Sequence, residues 1–348
     1  LGYGNIPKGM IKFHQYENKT VTAFEEHLLE ALNYCKNEDN EINIHFTISK
    51  EHKKAIKEHV EQAIEKIENK HQVNYNVSFS IQDPKTNTVA VDLVNTPLKD
   101  DKGNFVFRPG GHGSLLKNIN KLDADIIFIK NIDNVSMPED AQAQAYYKKI
   151  LGGFMASCEQ QIHQVLRAIK ENQPIPSNID TNFRDFCAQT LAIHLPENKA
   201  QWLTLLNKPI RVCGVVKNEG APGGGPFWVE GPKQETLQIV EGAQVNTANS
   251  KQKEIWQAAT HFNPVDLVCG LTNFEGKPFN LTKYCDLNQS FISNKSMMGQ
   301  PLKALELPGL WNGSMAHWLT VFVEVPAFTF NPVKTVNDLL NPAHQPKE

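Results

Sequence analysis

Gly110, Gly111, His112 and Gly113 stand directly ahead of a short amphipathic run, Ser114 to Lys121. An apolar run from Ile126 to Lys130 follows, and beyond it comes the pair Asp133-Asn134. Glycines at the entrance to a helix carry no Cβ, so a flat base or a phosphate can approach backbone N–H groups there. A carboxylate just past the next strand would hold Mg²⁺ against such phosphates. In open α/β sheets ligands collect beyond the carboxyl ends of the strands, where this order of elements delivers both features. Plainer demands fit the same letters. A glycine turn before a helix is ordinary punctuation, and Asp133 would equally serve as a helix cap or a solvated group. The stretch is neither a Walker A loop nor a G-x-G-x-x-G fingerprint.

The elements that must position these residues alternate. Thr22-x-x-Glu25 is a capping box for a helix through Cys35, with Phe24, Leu28, Leu29 and Leu32 on one face. Strands are expected over Ile42 to Ile48, Val77 to Ile81, Val89 to Leu93 and Ile126 to Lys130, with a charged helix over Glu51 to Asn69. Asp100 to Asn104 is a turn. Ser136-x-x-Glu139 caps a further helix, and helical sequence runs to about Asn207, broken at Pro174 and Pro176. From Arg211 the chain turns to short strands, glycine turns and aromatics. Linker candidates are Gln173 to Asn178 and Gly220 to Gly225. The pattern implies a mixed, mainly parallel sheet with helices on both faces.

The bulk numbers exclude several classes. Among 348 residues, 35 basic and 38 acidic side chains leave a net charge of -3, so no global field recruits nucleic acid or an anionic membrane. No apolar run approaches the ~18 residues of a bilayer span. Six scattered cysteines without a C-x-x-C pair argue against a disulfide framework or zinc ribbon, and suit reduced thiols in a cytoplasmic protein. The twelve histidines form no H-E-x-x-H set, which disfavours zinc hydrolysis. The first residue, leucine, is neither a natural start nor part of a signal peptide.

"IPKGM" (Ile6 to Met10), "RPGGHGSLLKNI" (Arg108 to Ile119) and "IDNV" (Ile132 to Val135) resemble, in order, the motifs of sugar-1-phosphate nucleotidylyltransferases. Within them the UDP-N-acetylhexosamine pyrophosphorylases are nearest, and "LQIVEGAQV" (Leu237 to Val245) and "FNPVKTVNDLL" (Phe330 to Leu340) look like two of their later segments. A stronger resemblance is to a bacterial family classified as a domain of unknown function. It shares "RPGGHG", "DADIIFIKNIDNV", "NEGAPGGGPFWV", "THFNPVDLVCG" and "LPGLWNGSM" with this chain.

The first resemblance implies a nucleotide-diphospho-sugar transferase-like (Rossmann-like) fold. Its nucleotide-binding half would be 1–150, a helical segment 151–209, and a sugar-binding half 210–348. It implies that Lys8 and Lys334 neutralise phosphate charge as catalytic residues. Gly110, Gly111, His112 and Gly113 would cradle base and ribose, Asp133 would bind Mg²⁺, and Glu241 and Asn263 would meet sugar hydroxyls. His112 stands where the pyrophosphorylases have Asn, and Gly242 interrupts their Glu-Tyr-Ser-Glu pattern. Their first signature, a glycine-rich loop with an Arg ahead of Pro-Lys, has no counterpart in Leu1 to Ile6. The expectation is that this strand and loop are missing from the sequence.

The implied reaction joins a sugar-1-phosphate to a nucleoside triphosphate, UTP before others, and releases pyrophosphate. The sugar phosphate is already an anion, so the task is positioning and charge neutralisation, which suits lysines and one Mg²⁺. A binding or regulatory protein that kept the fold without turnover is the alternative. A glycosyltransferase would want Asp-x-Asp after a strand, whereas Asp123-Ala124-Asp125 precedes one. Other residues keep two readings: "GAPGGGPFWV" as a mobile lid or a hairpin, Trp228 as sugar platform or core, His261 as ligand or packed histidine, and Asn312 as the polar residue of a packing segment. Sugar, base and oligomeric state stay open.

Overall fold

The computed structural model describes residues 6–16, 19–220, 223–231, 234–297 and 299–346. Residues 1–5, on which the expectation of a missing glycine-Arg loop turns, lie outside them. Contacts divide the chain into two compact units. The first is Leu1–Ile81, Lys130–Gly153 and Val325–Glu348, and the second is Gln82–Ile129 and Phe154–Glu324.

In the first unit a hairpin, β1 (Lys12–Tyr16) and β2 (Lys19–Thr22), leads into α1 (Ala23–Ala31). Thr22 and Glu25 form the expected capping box, each side chain taking the other's backbone N–H. The helix stops at Ala31, short of Cys35, although the Cys35 N–H still reaches the Ala31 carbonyl. β3 (Glu41–Thr47) pairs in parallel with β4 (Asn74–Ser80), joined by α2 (Lys53–His71). Ile56, Val60, Ala63 and Ile67 recur at helical spacing in α2 and are buried. They pack with Phe24, Leu28, Ile42 and Phe46 into this unit's core.

α1 also buries three carboxylates, Glu25, Glu26 and Glu30. Buried charges persist only when paired. The Glu30 carboxylate meets the Lys130 ammonium at 2.5 Å. Burial pushes its carboxyl up, but Lys130 and Lys148 outweigh this and hold it below the ordinary value. Glu26 accepts from the Tyr16 hydroxyl and faces Nδ1 of His14, whose Nε2 faces Nδ1 of His344.

In the second unit β5 (Thr88–Val91) and β6 (Phe107–Arg108) belong to a sheet in which β5 pairs with the later hairpin β13 (Phe291–Met297) and β14 (Gln300–Glu306). The helix expected from Ser114 to Lys121 is a 3₁₀ turn, His112–Leu115, followed by one turn of α3 (Leu116–Ile119). β7 (Ile126–Lys130) has the expected limits. α4 (Pro138–Lys170) runs through Gly153, where the division falls, and α5 (Ser177–Thr190) and α6 (Ala200–Leu206) complete the helical stretch. The expected Ser136–Glu139 cap of α4 falls partly outside the described residues. The Ser136 hydroxyl accepts from Gln144 and Asn331, and the Glu139 side chain lies outside the description.

The second unit's main sheet has the order β11 (His261–Phe262), β8 (Ile210–Lys217), β12 (Asp266–Gly270), β7, with β15 (Leu319–Glu324) along β8. β9 (Gly225–Val229) and β10 (Thr236–Val240) make a separate hairpin, and α7 (Ser250–Gln257) follows. The sheet is mixed, as expected: β15 runs parallel to β8, and β11 and β12 run antiparallel to it. Antiparallel ladders are the more numerous among those described, because hairpins replace helical crossovers after Arg211. All six cysteines are free, and burial raises every thiol, Cys35 to about 12 and Cys213 to about 11. Four are buried and two, Cys35 and Cys285, are half-buried, and all are poor nucleophiles.

Glu159, on α4, titrates unusually. Burial, and then neighbouring Asp125, pushes it up to about 7. Its Oε1 is enclosed without a partner, against Gly270, where a Cβ would collide with it. The folded state therefore holds this proton more tightly than the unfolded chain, whose value is near 4.5. The associated stability is complete below that ordinary value and is lost as pH rises through about 7. Glu159→Gln should flatten that decline, as read in denaturant melts across the window. An unchanged slope would refute the assignment.

Candidate functional site

In the first unit, three segments remote in sequence meet at one oxygen. Lys8 Nζ and Lys334 Nζ each lie 2.9 Å from Oδ2 of Asp133. Lys8 stands in the 3₁₀ turn Lys8–Met10, which Pro7 starts with φ -58. Gly9 is flush on the Phe24 ring, where a Cβ would stand 2.5 Å from a ring carbon. The Pro-Lys-Gly sequence thus seats its turn on the core and leaves the lysine projecting. Lys8 also donates to the Val333 carbonyl at 3.1 Å.

Asp133 lies in the loop after β7. Its carbonyl accepts the Val333 N–H, Asn134 bridges to Pro332, and Asn134 Oδ1 takes the Asn331 N–H. Nε2 of His27 bonds the Ile132 carbonyl, and burial drops this histidine to about 4, so the neutral ring is the donor. Lys334 is fixed from the other side, because Asp338 Oδ2 accepts the N–H groups of Lys334 and Thr335. Lys8 and Lys334 remain 38% and 47% exposed while Asp133 is 9% exposed, so two accessible ammonium groups stand over one enclosed carboxylate.

This arrangement does not fit a resident Mg²⁺ ligand. Oδ2 already carries two ammonium groups, and Oδ1 is enclosed with no partner. A dication at Oδ2 would stand beside two like charges, and among the described residues no group of three His, Cys, Asp or Glu side chains converges as a metal cage.

The glycine loop belongs to the second unit, where its neighbour is the segment Leu307–Gly313. The Leu307 N–H reaches the Gly110 carbonyl, and the Leu310 N–H reaches Nδ1 of His112 at 3.0 Å. A backbone donor at Nδ1 makes that nitrogen the acceptor, and burial lowers the His112 pKa despite Glu241 and Glu306. The neutral ring therefore carries its proton on Nε2. It stacks on Trp311 at 4.3 Å. Trp311 donates through Nε1 to Glu241 Oε1 at 2.8 Å, and its carbonyl accepts from Arg211 at 2.6 Å. His112 and Glu241, assigned separately to nucleotide and sugar, are thus linked through one indole. Sequence reasoning missed Trp311; an aromatic beside Asn-Gly in "LPGLWNG" was the available signal.

Other expected residues find local work. Asn263 gives Nδ2 to the Gly214 carbonyl and accepts the Val265 N–H, both within the protein interior. Val265 has φ 56, rare for a β-branched residue, and the Asn263 carboxamide pins that turn. Asn312 donates to the Ile239 carbonyl, and His261 pairs with Glu324 at 3.0 Å. Phe227 stacks on Trp256, whereas Trp228 is 58% exposed and no part of the core.

The loop glycines meet the chain itself. A Cβ on Gly113 would fall onto the Pro308 carbonyl oxygen, one on Gly110 would come within 2.5 Å of the Thr86 carbonyl oxygen, and Gly111 has φ +76. Gly113→Ala should therefore destabilise by about 3 kcal/mol, since backbone must move to admit the methyl group. Gly153→Ala, with nothing within 4 Å of the added carbon in a helix interior, should stabilise by about 0.5–1 kcal/mol. Thermal melts of the pair check both signs, and a neutral Gly113→Ala would show that the loop is not packed as described.

The fold has clear relatives. UDP-glucose pyrophosphorylase from Leishmania major, a mutant form in complex with UDP-glucose, is similar at 13% identity and TM-score 0.51, over 96% of this chain and 61% of that one. Open and closed structures of the Leishmania major enzyme match at 14% identity and TM-score 0.51, over 96% and 61% of the two chains. UDP-glucose phosphorylase from Trypanosoma brucei matches at 13% and 0.50, over 96% and 60%. The chain spans about three fifths of the length of these structures. No curated protein matches the sequence. The fold is nucleotidyltransferase-like, and no helix among the described residues is long and apolar enough to cross a membrane. Residues 1–345 match the family described as "Domain of unknown function (DUF4301)", and the chain belongs to that family.

Proposed function

We propose that this protein is a nucleotidylyltransferase that joins a sugar-1-phosphate to a nucleoside triphosphate, UTP before others, and releases pyrophosphate. The observation that carries this reading is the convergence of Lys8 and Lys334, from opposite ends of the chain, on one oxygen in a pyrophosphorylase-like fold. An oxygen of the sugar phosphate attacks the α-phosphorus, the bond to the β-phosphate oxygen breaks, and pyrophosphate carries that electron pair away. No general base is needed, because the nucleophile is already ionised. Lys8 and Lys334 reduce the repulsion between the two anions and stabilise charge on the phosphoryl oxygens.

In this reading Gly110, Gly111 and Gly113 offer backbone to the nucleotide, and the His112 Nε2–H offers a donor. Glu241, oriented by Trp311, receives sugar hydroxyls, and Asn263 serves by pinning its turn. The partners are small molecules handled in the cytoplasm, a placement that rests on the uniformly free cysteines. A nucleotide-sugar binding or regulatory protein is the second reading. One observation favours it: Asp133 is engaged by Lys8 and Lys334 and is not free to hold a cation for turnover.

Pyrophosphate release from UTP with a panel of hexose-1-phosphates separates the two. Lys8→Ala and Lys334→Ala should each lower kcat/KM by a factor that corresponds to about 2–4 kcal/mol. Ligand-induced thermal shifts without turnover, for any sugar and base, would favour the binding protein.

A further inference from the structure

We propose that Asp133 is a positioning residue for the two lysines rather than a metal ligand, and that Lys8, Asp133 and Lys334 form an oxyanion site that takes a phosphate oxygen without a divalent cation. The inference rests on the phosphate role given above to the lysines, but not on the reaction. Each ammonium group has three N–H donors. Lys8 uses one on Asp133 and one on Val333, and Lys334 uses one on Asp133, which leaves three donors between them. The group carries two positive charges against one negative, and both lysines are partly exposed. The carboxylate oxygen marks where an anionic oxygen sits between them, and the remaining donors and the surplus charge are what an incoming phosphate meets.

The enclosure of Asp133 supports the same assignment. A ligand to an exchangeable ion needs a free lone pair facing solvent, and Oδ1 is enclosed while Oδ2 is held twice. An anchor needs what is seen: a carboxylate whose backbone and neighbours are fixed. Asn134, Ser136 and Asn331 tie the loop, and Val333 and Asp338 set the segment that carries Lys334.

Calorimetric titration with inorganic pyrophosphate in excess EDTA tests this. The expected result is binding to the wild-type chain that weakens as salt is raised. Lys8→Gln and Lys334→Gln, confirmed folded by thermal melts, should each weaken it about tenfold or more, the factor for losing one charge-assisted contact. Asp133→Asn should keep metal-free pyrophosphate binding at least as tight as wild type, because the carboxamide oxygen still accepts from both ammonium groups and holds them in place while the competing negative charge is gone. Mn²⁺ titrated alone and followed by its electron-spin resonance should show no bound ion that Asp133→Asn removes.

Pyrophosphate binding that appears only with Mg²⁺ and vanishes in Asp133→Asn would overturn the proposal. So would a bound Mn²⁺ that Asp133→Asn abolishes, or pyrophosphate binding indifferent to both lysine variants. Metal-free binding that obeys the lysine variants, with no transfer of nucleotide to any sugar phosphate, would uphold the site and sink the reaction proposed above.

Discussion

One carboxylate oxygen shared by two ammonium groups is the constraint on which the first unit's architecture turns. At an effective dielectric of ~20, each 2.9 Å attraction is about 6 kcal/mol, and the repulsion between the lysines is at least about 3 kcal/mol. Partial exposure screens all of these terms. Attraction still exceeds repulsion only while Asp133 stays between the two, so the carboxylate must be rigid. This accounts for the density of ties around it. Asn134, Ser136, Gln144 and Asn331 give their polar groups to one another and to nearby backbone, and the Asp133 carbonyl is held by Val333. The loop after Lys130, the first turn of the described chain and the segment after Val325 are joined there by polar contacts rather than by a large apolar interface. Val135, Val333, Phe13 and Ala23 add only a small cluster beneath.

The second unit meets a different constraint, the close approach of two loops. The 107–115 and 306–315 segments come so near that a side chain would not fit at Gly113, and the Thr86 carbonyl closes the space beside Gly110. Trp311 sits at the junction, with a stacking imidazole on its face, a carboxylate at its indole nitrogen and a buried guanidinium at its carbonyl. That guanidinium, Arg211, donates to Thr320, Trp311 and Gln238, all neutral oxygens, and burial lowers its pKa. An ion held by neutral acceptors is costly to bury, so its retention needs a structural reason. It fixes the Trp311 backbone while the indole remains available to orient Glu241.

How much of this was legible in the sequence depends on whether the cause is local. The Thr22–Glu25 box and the limits of β7 follow from patterns within a few residues and both are present, whereas α2, expected only as a charged helix, also buries Ile56, Val60, Ala63 and Ile67. The helix after the glycine loop is shorter than its amphipathic run because a 3₁₀ turn takes its start. The Ser136 hydroxyl accepts from Asn331, 195 positions away, a partner that no local pattern announces. Lys8 and Lys334 could be named together only through family resemblance, since no periodicity connects the two ends of a chain. The role of Asp133 was legible as a type of residue in a type of place. What the sequence could not show was which cation it would face.

The roles proposed for these residues differ in the kind of interaction they call on. In the first unit Lys8, Lys334 and Asp133 form an ion cluster, and Glu30 and Lys130 are enclosed as a further ion pair. In the second unit the groups proposed to meet base and sugar are mostly neutral donors and acceptors, such as the His112 Nε2–H, the loop backbone and the indole N–H, with Glu241 as a carboxylate already hydrogen-bonded. Discrimination among bases or sugars requires directional neutral hydrogen bonds, whose loss leaves a buried group unpaired. Stabilising a phosphoryl group requires charge, which is indifferent to the identity of base and sugar. Under the proposed function, substitutions near Trp311 would therefore alter which substrate is chosen. Those at Lys8 and Lys334 would alter how well any phosphate is held.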